Sequence, residues 1–320
     1  MEWIPKMYRN RQIFESLEKQ LQNRKVTILL GSRQVGKTTL LKQLYNHFKD
    51  KYRSLFVDLD IYSNFEKFSS YENAINTLKL NGYDGKDLFV LYLDEFHRYG
   101  DISIIIKNLV DNHPNVKIYA SGSSSLSIRS KVQESLAGRK RIVMVYPLSF
   151  VEYLSIIDRD DLVDKISKID GIETENFYEL LPEHYQELNN FLVYGGYPEV
   201  VLSKREEKKE VLSSIFDLYI KKDLVDYLKI EKIKNAKTII NYLAINNGRE
   251  INFNQLAQIS GVDNKTAKNY VEILSGSFLI HILNPWFKNK NKELTKMPKI
   301  YYLDNGVRNY FIDNFADASL

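Results

Sequence analysis

The fold of this chain is decided by the stretch Val26-Thr27-Ile28-Leu29-Leu30-Gly31-Ser32-Arg33-Gln34-Val35-Gly36-Lys37-Thr38-Thr39. Its first five residues are apolar or β-branched, as in a buried strand, and the remainder matches the spacing G-x-x-x-x-G-K-[ST]. Glycine lets backbone N–H groups curl around an anion, because no Cβ blocks the approach. The stretch therefore predicts a strand, a phosphate-binding loop and the amino end of a helix.

Two side chains of this loop have predicted roles. Lys37 can reach the β- and γ-phosphates of a nucleotide, and the Thr38 hydroxyl can bind Mg²⁺. The alternative is a plain glycine turn, but the full motif arises by chance in a chain of this size only about once in a hundred. We therefore expect the nucleotide to be bound by Gly31, Ser32, Arg33, Gln34, Val35, Gly36, Lys37, Thr38 and Thr39.

A second signal is an apolar run that ends in two carboxylates, Leu88-Phe89-Val90-Leu91-Tyr92-Leu93-Asp94-Glu95. Ligands of parallel sheets bind at the carboxyl ends of the strands, so this pair meets the loop if both strands share a sheet. Asp94 would then hold the Mg²⁺ shell, and Glu95 would orient and deprotonate the attacking water. The alternative is a strand that happens to end in a charged turn. The position about sixty residues after the loop favours the catalytic interpretation.

The fourth predicted strand, Val116–Ala120, is followed by Ser121-Gly122-Ser123-Ser124-Ser125. A polar side chain at that edge can touch the γ-phosphate or the water. Ser123 is the candidate, and Ser121 and Ser124 are alternatives. A serine-rich loop that caps the next helix is supported equally well.

Arg139 lies between a predicted helix, Leu126–Leu136, and a predicted fifth strand, Arg141–Val145. An arginine at that edge of the sheet is available to the γ-phosphate of a neighbouring subunit, where it would stabilise transition-state charge. Such a role requires a homo-oligomer. A plain salt bridge is the competing role, and the residues alone favour it.

The chain carries six motifs in sequence order: Gly31 to Leu40, Leu93-Asp94-Glu95, Ser121 to Ser125, Leu136-Ala137-Gly138-Arg139, Pro147-Leu148-Ser149-Phe150-Val151-Glu152-Tyr153 and Gly195-Gly196-Tyr197-Pro198. In these motifs the chain resembles the prokaryotic AAA-type ATPases whose carboxyl half is a domain of unknown function, relatives of the archaeal ATPases and the STAND class. Ser32 stands where that family usually has proline, a change that alters loop stiffness more than chemistry.

The resemblance implies an α/β fold with an AAA+-like, five-stranded parallel P-loop sheet. One inserted strand would separate the loop strand from the carboxylate strand. It implies an ATPase core over residues 1–150, a helical lid over 151–232 and a winged-helix domain over 233–320. It also implies that Pro198 lies against the adenine or ribose of ATP. A nuclease-like domain often follows in the family, and we expect none within these 320 residues.

The winged-helix interpretation also has a basis in the residues. Asn254–Ile259 and Asp263–Leu274 have the pattern of a helix-turn-helix, and Phe278–Leu283 and Lys299–Leu303 are strand-like. The side chains expected to face a duplex DNA groove are Asn264, Lys265, Lys268 and Asn269. The lysines of the loop between the two strands, Lys288, Lys290, Lys292 and Lys296, are expected to contact phosphate. The alternative is a winged helix that only packs against the nucleotide domain.

Composition narrows the function further. The chain has 44% hydrophobic residues, a net charge of +4 and no cysteine, so disulfides and thiolate metal sites are excluded. It has no secretory signal pattern and no apolar run that could span a bilayer, so we expect a cytoplasmic protein. No N-K-x-D motif follows the core, which argues against a GTPase. The sequence thus predicts a Mg²⁺-dependent ATPase. The alternative is a nucleotide-gated switch or DNA-binding regulator with little turnover.

Overall fold

The computed structural model describes residues 11–96, 102–123, 135–167, 181–219, 233–288 and 296–316. The chain divides into two compact units, Met1–Tyr146 and Pro147–Leu320. In the described residues, the first unit contains a parallel sheet with helices, and the second is mainly helical with one antiparallel hairpin.

The first unit is built on a five-stranded sheet. Its elements in chain order are α1 (Phe14–Glu18), a 3-10 turn (Lys19–Gln22), β1 (Val26–Gly31), α2 (Lys37–Phe48), β2 (Arg53–Asp58), α3 (Tyr62–Glu66), α4 (Tyr71–Leu80), β3 (Phe89–Asp94), α5 (Ile102–Asn112), β4 (Val116–Ser123) and β5 (Lys140–Met144). The strand order is β2-β3-β4-β1-β5, and every neighbouring pair is parallel. The predicted sheet, with one strand inserted between the loop strand and the carboxylate strand, is confirmed.

Burial explains why these segments are central strands. All six residues of β1 and all six of β3 are buried, as expected for parallel strands with both faces covered. The rings of Tyr92 on β3 and Tyr119 on β4 stack with centroids 5.5 Å apart. Their hydroxyls donate to the carbonyls of Leu44 at 3.3 Å and Leu17 at 2.9 Å. These bonds fix α2 and α1 on the sheet while satisfying two buried hydroxyls.

Two sequence boundaries change in the structure. The fourth strand does not end at Ala120 but continues to Ser123, because Leu29, Leu30 and Gly31 of β1 continue to pair with its last residues. The predicted helix Leu126–Leu136 lies largely outside the described residues, which exclude 124–134.

The second unit contains helices and a hairpin. Its elements are α6 (Phe150–Ile156), α7 (Asp160–Ser167), α8 (Leu181–Tyr194), α9 (Pro198–Leu202), α10 (Lys208–Tyr219), α11 (Ile233–Ile245), α12 (Phe253–Ser260), α13 (Asn264–Gly276), β6 (Ile280–Leu283), β7 (Lys299–Tyr302) and α14 (Asn305–Phe311). A capping box begins α6, in which the Ser149 hydroxyl accepts from Glu152 N and the Glu152 carboxylate accepts from Ser149 N.

The predicted helix-turn-helix segment folds as two helices. Gly261 ends α12 with φ of +67°, a conformation that favours glycine, and the Asp263 carboxylate begins α13 by accepting from Thr266 N at 2.9 Å. Antiparallel strands β6 and β7 follow. The predicted helices and strands of this region are therefore present, except that the first strand begins at Ile280 and not at Phe278, whose φ is +60°. Their assignment to a winged helix, and the division into a lid over 151–232 and a domain over 233–320, stay predictions.

Candidate active site

The phosphate-binding loop has the backbone geometry that its glycines require. Gly36 precedes α2 with φ of +92°, and Gln34 also has a positive φ of 62°. A Cβ on Gly31 would lie 2.1 Å from the carbonyl oxygen of Val145, so only glycine fits where β1 meets the chain after β5. The loop therefore turns tightly from the end of β1 into the amino end of α2, the position that favours an anion.

Lys37 is held against this loop. Its side chain is 5% exposed, and Nζ donates to the carbonyls of Gly31 at 3.1 Å and Ser32 at 2.7 Å. These acceptors lie in the residues that the motif predicts to surround a phosphate. A bound phosphate would offer this ammonium group negatively charged oxygens in place of the carbonyls, so the position of Lys37 fits its predicted contact with the nucleotide.

The other side chains of the loop differ in exposure. Val35 is buried, Gln34 is exposed, and Ser32 is buried, while Arg33, Thr38 and Thr39 are half-buried. Arg11, which the sequence did not single out, donates to the Val35 carbonyl at 3.0 Å and to the Tyr146 carbonyl at 2.9 Å. Arg11 thus links the loop to the chain after β5 through two carbonyls that are distant from it in sequence.

The predicted metal residues and the acid pair meet beside the loop. A side-chain hydrogen bond joins Thr38 to Asp94, the last residue of β3. The Ser121 hydroxyl donates to the Asp94 carboxylate and accepts from Glu95 N at 3.3 Å. Glu95 has a φ of +54°, in a region that non-glycine residues seldom adopt, so the acceptor helps to hold it there.

Burial raises the pKa of both carboxylates of the acid pair. It raises the pKa of Asp94, and the neighbouring Asp58 acts in the same direction, against hydrogen bonds from Ser121 and Thr38 and the charge of Lys37. Burial also raises the pKa of Glu95, which Lys37 opposes and the Asp94 charge reinforces. A carboxylate and a hydroxyl are hard oxygen donors, so Asp94 and Thr38 fit Mg²⁺ chemically, and a divalent cation would lower both pKa values.

Asp58 is a site residue that the sequence did not single out. It ends β2, pairs in register with Asp94, and its carboxylate accepts from Asp60 N at 2.9 Å. The sequence did contain a signal for Asp58, because two neighbouring parallel strands that each end in aspartate bring two carboxylates to one edge of the sheet. In the described residues, no group of three or more histidine or acidic side chains has the arrangement of a protein-only metal site.

Ser123 and Ser121 occupy different places. Ser121 is fully buried and contacts the acid pair, whereas Ser123 pairs in register with Gly31, and its side chain lies outside the described residues. The predicted role of Ser123 stays a prediction. Ser121, which was named as an alternative to it, contacts the Asp94 carboxylate.

Arg139 does not meet the loop of its own chain. It precedes β5, its carbonyl accepts from Val26 N at 2.9 Å, and its guanidinium pairs with Asp111. Val26 begins β1 and Gly31 ends it, so this amino edge lies roughly 17 Å from the loop. The salt bridge that was the alternative role for Arg139 is present, with Asp111 as its partner. Its action on a neighbouring subunit stays a prediction.

Pro198 is the first residue of α9 in the second unit. The turn before it is specific, because Gly195 has φ of +78° and the Asp304 carboxylate accepts from Gly196 N at 2.6 Å. A Cβ on Gly195 would lie 2.1 Å from that carboxylate. The contact of Pro198 with adenine or ribose stays a prediction.

Family models match both halves of the chain. Residues 23–154 match a model described as an AAA domain, and residues 185–318 match one described as a domain of unknown function. The first match contains the loop, the acid pair and Ser121, and the second contains α13 and the β6–β7 hairpin.

Relatives and one solved structure match most of this chain. An uncharacterised protein of Methanocaldococcus jannaschii is 29% identical over 308 residues, which are 93% of this chain and 64% of that relative. A protein of Haemophilus influenzae is 24% identical over 303 residues, or 90% of this chain and 69% of the relative. The chain thus spans 64% of the length of the M. jannaschii protein. A solved Walker-type ATPase of Pyrococcus abyssi shares the fold, with a TM-score of 0.60 at 15% identity over 98% of this chain and 100% of that one.

None of the helices in the described residues combines the length and apolar character that crossing a bilayer requires.

Proposed function

We propose that this chain, which belongs to the AAA-type P-loop ATPases with a carboxyl-terminal domain of unknown function, binds ATP with Mg²⁺ and hydrolyses it. The nucleotide state would move the helical lid and winged helix. One observation carries the proposal: a single hydroxyl, that of Ser121, contacts both the predicted metal ligand Asp94 and the backbone of the predicted base Glu95.

The proposed mechanism gives each residue one role. Loop N–H groups and Lys37 bind the β- and γ-phosphates, and Thr38 and Asp94 hold the Mg²⁺ shell. The cation, when bound, neutralises charge that develops on the phosphate oxygens. Glu95 orients the attacking water and takes its proton, and its raised pKa suits it to accept one.

Steady-state phosphate release tests the mechanism. Glu95→Gln keeps the shape of the side chain but cannot accept the proton, so kcat should fall at least about 100-fold while ATP binding persists. Glu72→Gln, at an exposed glutamate on α4, is the matched control and should leave kcat unchanged. Equal turnover in Glu95→Gln and the wild type would contradict the assignment of the base.

The alternative proposal is a nucleotide-gated switch of the STAND type or a DNA-binding regulator with little turnover. The wild type would then retain ADP tightly through gel filtration and release negligible phosphate over hours. Many turnovers per molecule, lost in Glu95→Gln, favour the enzyme. Tight ADP retention without turnover favours the switch.

Duplex DNA is the partner proposed for the second unit. Lys265, Lys268 and Asn269 are exposed on α13, which supports contact with phosphate and base edges. Lys265→Ala with Lys268→Ala should weaken duplex binding and reduce its salt dependence by about two charges. Absence of wild-type duplex binding at low salt would remove this partner.

Arg139 is proposed to act on the γ-phosphate of a neighbouring subunit in a homo-oligomer. Mixing Arg139→Ala with Lys37→Ala tests this, because an Arg139→Ala site could then use the arginine of its Lys37→Ala neighbour. Recovery of turnover in the mixture, above either variant alone, supports action in trans. An active Arg139→Ala protein leaves only the salt bridge with Asp111.

A further inference from the structure

The β6–β7 hairpin exposes large apolar side chains on its outer face. Residues alternate along the strands, so Ile280, Ile300 and Tyr302 are buried, while Leu283 and Tyr301 are exposed. Beyond β6, the Trp286 side chain is 75% exposed. Tryptophan and tyrosine rings that remain accessible to solvent are available to stack on a ligand.

Among the described residues in and next to the hairpin in sequence, the exposed charged ones are basic. Lys288, after the end of β6, and Lys296, before the start of β7, are both exposed. Lys299 is exposed on β7 opposite Leu283. The described residues 281–288 and 296–302 contain no aspartate or glutamate. The flanking carboxylate is that of Glu250, whose backbone forms an isolated bridge with Lys299. We call this surface the hairpin face, made of Leu283, Trp286, Lys288, Lys296, Lys299 and Tyr301.

We propose that the hairpin face binds single-stranded nucleic acid, with bases stacked on Trp286 and Tyr301 and phosphates bound by the three lysines. Every base has a flat π-face, and exposed aromatic rings combined with cations recognise such strands without sequence preference. In a duplex those faces are covered by neighbouring base pairs, so the exposed rings match unpaired bases. A single strand engages rings and lysines together at successive nucleotides, whereas an acidic protein would pair mainly with the lysines.

This inference goes beyond the proposed ATPase activity and uses none of its residues. It differs from the duplex proposal in its defining contact, which is the stacking of unpaired bases on Trp286 and Tyr301, whereas Lys288 and Lys296 are shared with the predicted duplex contacts. Variants of the two rings and variants of Lys265 and Lys268 on α13 therefore test the two proposals separately.

Trp286 itself provides the readout. The chain has two tryptophans, Trp3 and Trp286, so in a Trp3→Phe background the remaining emission reports Trp286. Titration with an oligothymidylate of about 20 nucleotides should quench that emission, because a stacked base contacts the indole. A duplex of the same length should quench it far less. No quenching at low salt would overturn the proposal.

Variants separate stacking from general charge. Using a fluorescein-labelled oligothymidylate and anisotropy, Trp286→Ala should weaken binding about tenfold or more, and Trp286→Phe should retain most of it. Tyr62→Ala, which removes a tyrosine that is 67% exposed in the first unit, is the matched control and should bind as the wild type does. Melting temperature and ATP turnover, measured on the same preparations, should not change in Trp286→Ala.

Three results would overturn the proposal. In the first, Trp286→Ala and the wild type bind the oligonucleotide equally. In the second, a duplex competes as well as the single strand. In the third, polyglutamate displaces the oligonucleotide at equal charge concentration, which would assign the hairpin face to an acidic protein partner. Loss of ATP turnover with intact oligonucleotide binding would count against the ATPase alone.

Discussion

In the described part of the first unit, two lysines, Lys37 and Lys117, are buried at opposite edges of the sheet. Lys37 lies at the carboxyl edge, and it donates to the carbonyls of Gly31 and Ser32, which are within six residues of it in the same loop. Lys117 is 1% exposed at the amino edge. Its Nζ donates to the Asn23 carbonyl at 2.9 Å, and to the Lys25 carbonyl and the Thr27 hydroxyl at 2.8 Å, all at least 90 residues away in sequence.

The two lysines differ in the sequence positions of their hydrogen-bond partners, and therefore in their expected roles. The partners of Lys117 come from another part of the chain and join the start of β4 to the start of β1, so its bonds stabilise the fold. The partners of Lys37 belong to the loop that is predicted to bind phosphate, so its hydrogen bonds position a positive charge beside the predicted phosphate site. Burial alone, which lowers the pKa of Lys117 to about 7, therefore does not identify a functional lysine.

The largest effect that separates the two lysines is expected from Lys37→Ala. Loss of a preorganised positive charge on the phosphates should lower kcat/KM for ATP about 1000-fold, with little change in the free energy of unfolding. Phosphate release and urea unfolding on one preparation measure both quantities. A large loss of stability with retained activity would reverse the comparison.

A buried carboxylate of the second unit extends the comparison. Asp304 accepts hydrogen bonds from Gly196 N and Val307 N, and burial raises its pKa to about 6 from the model-compound value of 3.8. The folded state then binds the proton more tightly than the unfolded state. The stabilisation is fully present below pH 3.8, and about 3 kcal/mol of unfolding free energy is lost as pH rises through 6.

Asp304→Asn tests that titration. The variant keeps an oxygen acceptor but cannot ionise, so its stability relative to the wild type should increase from pH 4 to pH 7 by about 3 kcal/mol. Urea unfolding of both proteins across this range measures the difference. A difference that does not vary with pH would show that Asp304 stays ionised or protonated throughout.

Lys117→Met is the counterpart of the change at Lys37. Methionine fills the volume but leaves the two carbonyls and the Thr27 hydroxyl without their donor, so the free energy of unfolding should fall by about 2 kcal/mol. Turnover per folded molecule should not change. A fall in turnover comparable with that of Lys37→Ala would mean that the two lysines are coupled through the sheet.

The smallest effect concerns Ser121. In Ser121→Ala, Glu95 N loses its acceptor and the positive φ of Glu95 is less restrained, so kcat should fall about tenfold with KM for ATP unchanged. Ser103→Ala, at a buried serine of α5, is the matched control. A change in KM alone would assign Ser121 to binding instead of to the base.

The sequence predicted the parts of the site that depend on local spacing. The motif placed Lys37 and Thr38 at the start of a helix, and the apolar run before Asp94 identified a central strand. The strand order came from the family resemblance, because hydrophobic periodicity does not reveal which strands are neighbours. The spacing alone does not rank Ser121, Ser123 and Ser124. The contact of Ser121 with Asp94 follows from strand register, since Leu93 pairs with Ala120 and the next residues are Asp94 and Ser121. The predicted role of Ser123 stays a prediction.

Other features depend on tertiary partners that spacing cannot supply. Nothing near Lys117 or Arg11 in the sequence names the carbonyls that they bind, because those carbonyls are up to 135 residues away. For Arg139 the sequence did indicate that this residue lies away from the phosphate-binding loop of its own chain. A residue that precedes a parallel strand lies at the amino edge, and the phosphate loop lies at the carboxyl edge.

An equilibrium titration of the wild type, Lys37→Ala and Lys117→Met with ATP, with and without Mg²⁺, tests the central claim most directly. We predict that the wild type and Lys117→Met bind ATP with equal affinity that Mg²⁺ strengthens, and that Lys37→Ala loses about 100-fold or more. Absence of Mg²⁺-strengthened binding in the wild type, or equal binding by Lys37→Ala, would contradict the account.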